Sequence, residues 1–475
     1  MTRLQDIAQQ SAEDGESTGM QWLGRRVLMV TSSYPAGASD FRARFVHEMA
    51  VALRRAGASC SIVTPRVPSS ASHECLDGIS IERFEYPGWR SSAVTGPMGI
   101  LDQLRRRPDG LFMVPGFLKQ MTRALRRKSD AFAPDLVVAH WLVPSGLALR
   151  SAGLDVPSAA LAHSSDVHLL ATLGPVGRRI ARWIETNMPV FATSKFLAQT
   201  LEREGLSRNP IILPLGVRLP ARTHHQVRIE PSSHSSATGA QSCVRPPSPR
   251  AKAVCAMGRF IPIKGFELLL EAVSKVPHLT LTIAGDGPLR SRFEQRARRL
   301  GLTARVEIRP PVLEGEKPSF FARHDIFAFT GISRGRFVDN LPVSVLEAMA
   351  HGCAIVSTRV GAMPELLASG AGVLANCDAT SLAIALSKAC QHVATMSQRA
   401  REEAERRSWS QVSRRLWDLA GNNACAHRSL DFELTNLRVP SQPTPGRAEI
   451  VAEQHHGGSR GEQILVNEVG CRLGR

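Results

Sequence analysis

The sequence predicts an α/β fold made of two Rossmann-like domains facing each other across a cleft. Short apolar runs alternate with stretches of helical spacing, and the alternation occurs twice. A segment rich in Ser, Pro and His divides the two halves. Glycines and charged residues follow several of the apolar runs, where parallel strands offer their ligand-binding ends.

The first half opens with RVLMVTS (26–32), a buried strand ended by Ser-Ser-Tyr-Pro. Phe41 to Ala56 follows as a helix, with Phe45, Met49, Ala52 and Leu53 at helical spacing and Gly57 placed to stop it. CSIVTP (60–65) completes a βαβ unit, which requires a parallel sheet. Further strands are expected at 135–140, 158–163, 189–194 and 210–216. In the second half, strands are expected at 253–258, 279–285, 305–310, 325–330 and 354–358. Helices are expected near 266–276, 289–300, 343–351 and 379–390. The resulting division is a polar N-terminal tail (1–24), a first domain (25–219), a mobile linker (220–250), a second domain (251–408), a closing helix (409–422) and a disordered C-terminal tail (423–475).

Composition agrees with an ordinary globular protein: 475 residues, 43% hydrophobic and 21% charged, long enough for two domains. Nine scattered cysteines include no Cys-x-x-Cys, so neither a zinc site nor a redox pair is indicated, and a reducing compartment is expected. The N-terminus is polar and acidic, unlike a signal peptide. The longest apolar stretch, 136–149, holds His140, Pro144 and Gly146 and is too short to span a bilayer. A cytoplasmic protein is expected. The net charge of +17 includes clusters at Arg105–Arg107, at Arg123, Arg126, Arg127 and Lys128, and at Arg178, Arg179 and Arg182. Each cluster can be a solvated helix face or an attraction for a polyanion. Nucleic acid is not expected, because no recognition motif or aromatic platform accompanies the charge and aromatics are only 5%.

The strongest chemical signal is DNLPVSVLEAMAHGCAIVST (339–358). Pro342 suits the first turn of a helix, since it lacks an N–H that would be orphaned there. Val345, Leu346, Met349 and Ala350 form its apolar face, and Gly352 ends it. The helix therefore begins after a loop holding Asp339, Asn340 and Leu341, and its open amides from Val343 onward favour an anion. Asp339 and Glu347, eight positions apart, can both accept hydrogen bonds from a polyhydroxylated ligand.

This stretch closely resembles glycosyltransferase family 4, whose signature is two glutamates separated by seven residues, then Ala-Met-Ala and a glycine. Here Asp339 stands for the first glutamate and Asn340 for the usual glycine. Asn tolerates a left-handed backbone better than other non-glycine residues. MGRFIPIKGFELLLEA (257–272) also resembles the family, as do GDGPLR (285–290), GAMPELL (361–367) and ALAHSSDVH (160–168). So do FVHEMAVAL (45–53), HWLVPSGLA (140–148), FATSKFLAQTL (191–201) and LPLGV (213–217), and the likeness covers about residues 26–420.

The resemblance implies a GT-B fold and transfer of a sugar from a UDP- or GDP-sugar with retention of configuration. It assigns Arg259 and Lys264 to the donor diphosphate, Glu347 to the ribose, and Asp339 and His163 to the donor sugar. Asp166 orders the site, Gly37 approaches phosphate or acceptor, and the 340–343 segment supplies the helix N-terminus. Two cations can neutralise a departing diphosphate without a metal, and the sequence has no Asp-x-Asp. No cofactor is expected beyond the nucleotide sugar as co-substrate. Glu365 is expected to be structural. The implied acceptor is a glycan or a lipid-linked molecule in polysaccharide or glycolipid synthesis. Leu111 to Lys128 mixes bulky apolar residues with cations, and can either lie on an anionic membrane or pack within the first domain. A sugar-nucleotide epimerase or hydrolase, and a non-catalytic nucleotide-sugar-binding protein, are the alternatives.

Overall fold

The computed structural model describes residues 22–421 except 38–39, 41, 93, 96–99, 221–251, 334 and 336–337. The expected linker at 220–250 and the tail at 423–475 thus lie outside the described residues, apart from Pro220 at the linker's start. So does the N-terminal tail up to residue 21. Its last residues do not behave as a tail. Trp22 is fully buried, donates from Nε1 to Ser413 O (3.2 Å) and packs edge-on against Trp417. One indole in a well-packed site outweighs the polar residues that precede it.

Eight strands build the first sheet: β1 (Arg26–Thr31), β2 (Ser59–Pro65), β3 (His73–Leu76), β4 (Ile79–Phe84), β5 (Leu136–His140), β6 (Ser158–Ala162), β7 (Val190–Ala192) and β8 (Ile211–Ile212). Their order is β3-β4-β2-β1-β5-β6-β7-β8. All pairings are parallel except β3 with β4. That edge hairpin is absent from the sequence reading. Asp77 and Gly78, both at positive φ, form its two-residue turn. The flanking ECL and ISIERF lack the long apolar run that marks the other strands.

The second sheet runs β11-β10-β9-β12-β13-β14. Its strands are β9 (Lys252–Met257), β10 (Leu279–Ala284), β11 (Val306–Arg309), β12 (Ile326–Phe329), β13 (Ala354–Thr358) and β14 (Gly372–Ala375), all parallel. In this sheet only β14 goes beyond the sequence expectation, being four residues beside a glycine pair. The order reverses at β9 and β12, so the loops leaving these two strands diverge around the crevice where such sheets bind ligands.

Helices follow the apolar spacing. Arg44–Arg55 buries Val46, Met49, Ala50 and Leu53 against the first sheet. Val114–Phe132 turns Phe117, Met121, Ala124 and Leu125 into the same core, which resolves the choice for Leu111–Lys128 towards packing over most of its length. Leu111 and Phe112, just before it, remain 57% and 90% exposed. Trp409–Gly421 returns to the first domain. Val217 N donates to Arg407 O (2.9 Å), Trp409 N donates to Val217 O (3.2 Å), and the Trp409 ring fills the space beside Gly216.

Candidate active site

The carboxyl ends of β5, β6, β9, β10 and β12 open on one cleft of about 1370 Å³, lined by both domains. Arg259, Lys264, Asp339, Asn340, Leu341, Pro342, Val343, Glu347, His163 and Asp166 all line it. Gly37 is not among the described residues that do.

Lys264 is placed by its backbone. Its carbonyl accepts from Thr330 Oγ1 (3.0 Å), and Ile332 N donates to Ile263 O (2.9 Å). Gly265 then turns the chain at φ +65° into the helix Phe266–Ser274. A Cβ there would lie 1.8 Å from Thr330 O, so only glycine fits. The GDG segment braces the same loop from the other side. Gly258 N donates to Ala284 O (3.0 Å) and Phe260 N to Asp286 O (2.7 Å). The Lys264 ammonium pairs with the Asp339 carboxylate, and both side chains are largely shielded.

Glu347 lies one helical turn into Val343–Ala350, so it faces the cleft while Leu346 and Met349 face the core. Its Oε1 is 2.7 Å from Lys317 Nζ, which also contacts Glu314 Oε2 (2.8 Å). Burial raises the Glu347 carboxyl, against the pull of Lys317. Burial also lowers Lys317, but Glu347 and Glu314 outweigh it and leave its ammonium raised. Lys317 is a site residue that sequence reasoning missed. It sits in EGEKPSFF, which carries no motif, thirty positions from its partner.

The helix starts at the expected residue, but Pro342 stands just outside its first turn. Pro342 is the N-cap, extended at ψ 131°, and the helix begins at Val343 with no side chain capping it. Its first amides therefore face the cleft mouth with the dipole behind them. Asn340 also differs. It is not among the described non-glycine residues with positive φ, and its side chain is 4% exposed. Its Oδ1 accepts from Ser194 Oγ (2.9 Å) and its Nδ2 donates to Thr193 Oγ1 (3.3 Å), so the amide ties the two domains together. Gly361 completes this corner. At φ +53° its α-carbon faces the Asp339 and Asn340 carbonyls, which a Cβ would meet at 2.5 Å.

More ties join the domains beside the cleft. Ser164 Oγ donates to Val338 O (2.8 Å). Glu365 accepts from Lys195 N (3.1 Å) and Phe196 N (3.2 Å), the first two amides of helix Lys195–Arg203, while Ser194 Oγ accepts from Leu197 N. Glu365 thus caps a helix of the opposite domain.

In the first domain, His163 is the N-cap of helix Ser164–Thr172 and donates from its backbone to Asp166 Oδ1 (2.8 Å). Asp166 Oδ2 accepts from Leu142 N (2.6 Å), so this carboxylate, 2% exposed, joins the loops after β5 and β6. Burial, opposed by those amides, lifts its pKa to about 7. The His163 ring is stacked on His140 (5.7 Å, 18°) and enclosed by Trp141 (4.8 Å) and Phe45 (5.0 Å). Burial depresses His163 to about 3, so it is neutral, and its Nε2 has no hydrogen-bond partner in the protein. A neutral imidazole facing the cleft can exchange hydrogen bonds with a hydroxyl.

Two Rossmann-like domains with this shared cleft define the GT-B architecture. Residues 43–219 match the family described as Glycosyltransferase Family 4, and residues 251–392 match Glycosyl transferases group 1. The chain belongs to glycosyltransferase family 4. It is 30% identical over 196 residues to a phosphatidylinositol N-acetylglucosaminyltransferase component of Arabidopsis thaliana, covering 39% of this chain and 42% of that protein. It is 32% identical over 127 residues to a GDP-mannose-dependent α-(1-6)-phosphatidylinositol monomannoside mannosyltransferase of Mycolicibacterium smegmatis, covering 26% of this chain and 33% of that protein. The matched stretches span less than half of each relative. The sucrose-phosphate synthase of Thermosynechococcus elongatus superposes with a TM-score of 0.62 at 16% identity, over 85% of this chain and 100% of that one, which shows the shared fold.

Proposed function

We propose that this chain transfers a hexose from a UDP- or GDP-sugar to a glycan or lipid-linked acceptor, with retention of configuration, in cell-surface polysaccharide or glycolipid synthesis. The observation that carries this reading is the convergence of Arg259, Lys264, Asp339, Glu347 and His163 on one cleft from three separate stretches of the chain. When the bond from the sugar to the diphosphate breaks, negative charge grows on the leaving phosphate. Arg259, Lys264 and the amides at Val343 are the groups that stabilise it, with no metal invoked. Glu347, set by Lys317, accepts from ribose hydroxyls. Asp339 and His163 orient the sugar, and the aromatic wall of Phe45 and Trp141 shields it from water. The two relatives, named for sugar transfer to phosphatidylinositol-based acceptors and one for use of GDP-mannose, support the same reading.

No helix among the described residues is long and apolar enough to cross a membrane. The cytoplasmic membrane surface enters the proposal through Leu111 and Phe112 beside the basic face of helix Val114–Phe132. Flotation with anionic vesicles at low and high salt tests that part. Thermal-shift measurements with UDP-, GDP- and ADP-sugars test the donor: selective stabilisation by one nucleotide is expected. Failure of every nucleotide sugar to stabilise the protein overturns the reading. Steady nucleotide release that no acceptor accelerates favours the hydrolase alternative.

A further inference from the structure

We propose that the first-domain half of the cleft binds the hydrocarbon chain of a phosphorylated amphiphile, with the phosphate at Arg42, Arg44 and Arg106. This inference rests on the glycosyl-transfer reading and narrows its acceptor to one chemical class. Leu104, Val114, Leu118, Leu147, Leu169 and Ile180 line that half, and each is only partly buried. They come from five helices, so the apolar bank is a feature of the assembled domain and not of one amphipathic face. Thr95 also lines it, but its hydroxyl is engaged by Tyr86 Oη at 2.7 Å. A saccharide pushed into this trough would leave hydroxyls without partners. A hydrocarbon chain there removes apolar surface from water on both sides.

The ends of the trough define the rest of the ligand. Leu173 lines the cleft and is 44% exposed, and Val176, three residues on in helix Gly174–Glu185, is 61% exposed, which gives a chain an apolar exit. The basic residues that the first domain contributes to the same lining are Arg42, Arg44 and Arg106. The acid lining that side among the described residues is Asp166, and its carboxylate is committed to backbone amides. Arg42 is paired with Asp40. Arg44 reaches Glu48 only at 3.4 Å through Nε, and its Nη1 is buried without a partner. A guanidinium N–H held in that way suits a phosphate oxygen. Phe45, the next residue, packs on His163, so a headgroup held by Arg44 lies beside the proposed sugar site.

The test is calorimetric titration of the full-length protein with monoalkyl phosphates from butyl to dodecyl, each below its micelle concentration, with octanol as the uncharged comparison. Affinity should rise about fourfold per methylene until the trough is full. Octyl phosphate should bind at least about tenfold better than octanol, a difference that Arg44→Leu should erase. Leu147→Asn should flatten the series. Leu118→Trp, which keeps the bank apolar, should end the gain at a shorter chain. A flat series, equal binding of octanol and octyl phosphate, or wild-type behaviour in both trough variants overturns the assignment. Thermal shift by UDP and GDP on the same proteins separates the two readings. If the nucleotide response is intact, only the trough assignment falls; if wild type shows none, the glycosyl-transfer reading falls as well.

Discussion

Lys264 and Asp339 neutralise each other across the cleft, one from the loop after β9 and the other from the loop after β12. A diphosphate entering the site must therefore compete with a carboxylate for the same ammonium. Asp339→Asn removes the competing charge, so UDP or GDP should bind several-fold more tightly while turnover falls, because the sugar hydroxyls exchange a charged carboxylate for a weaker amide oxygen. Lys264→Ala should lower kcat by about 10²–10³. Its effect on unfolding should be about 1 kcal/mol, since the two side chains keep 15% and 22% of their surface in solvent. Titration calorimetry and initial rates check both, and a parallel loss of stability and activity would count against the assigned role.

Lys317 gives a separate handle on the donor. It opposes the burial that raises Glu347, so Lys317→Met should raise that carboxyl further. Once protonated, Glu347 loses part of its capacity to accept from ribose hydroxyls. Donor affinity of the variant should then weaken as pH falls from neutral into the acid range, and at a higher pH than in wild type. Lys317→Arg should restore the wild-type profile. Nucleotide titrations across that range provide the measurement.

Glu365 predicts a stability effect that starts between domains. Glu365→Ala leaves the Lys195 and Phe196 amides without their acceptor and should cost about 0.5–2 kcal/mol, the usual range for a helix cap. Urea unfolding measures it. Asn340→Leu strips Ser194 and Thr193 of a partner at the same interface and should add to the loss less than independently, since both contacts brace one helix start.

These contacts show where the sequence is informative. The two alternating halves and most strand positions are legible because buried parallel strands are written as local apolar runs. Gly265 and the 343–350 helix are legible for a similar reason: turn and helix chemistry lies in adjacent residues. Lys317, the amide of Asn340 and the acceptor end of Glu365 are not, because each acts on a partner far along the chain or in the other domain. In sequence Asn340 reads as a tolerable stand-in for a flexible glycine, whereas its side chain is used and its backbone is not left-handed. The β3–β4 hairpin escapes the sequence pattern because its edge strands need no continuous apolar face.

His140 and His163 predict how the fold fails in acid. Burial depresses both, His163 to about 3 and His140 well below its ordinary value, with the neighbouring His163 as a further cause for the latter. In the unfolded chain each binds a proton near pH 6.5, and in the folded chain neither does until far lower. The stability they confer is complete above about 6.5 and is lost as pH falls towards the folded values, by about 1.4 kcal/mol per pH unit for each ring while only the unfolded form is protonated. Asp166 works in the opposite sense, since its raised carboxyl favours the fold as pH drops below about 7, so the total curve mixes both signs. Comparing wild type with His140→Phe isolates one ring: the phenyl keeps the stack, and urea unfolding between about pH 6.5 and 4 should show a shallower acid loss in the variant. His163→Phe should show the same change together with a fall in kcat/KM at neutral pH, where His163 is already neutral. An unchanged acid slope in both variants would mean that the rings are hydrated in the folded protein, and would remove the argument for His163 as a neutral hydrogen-bond partner of the sugar.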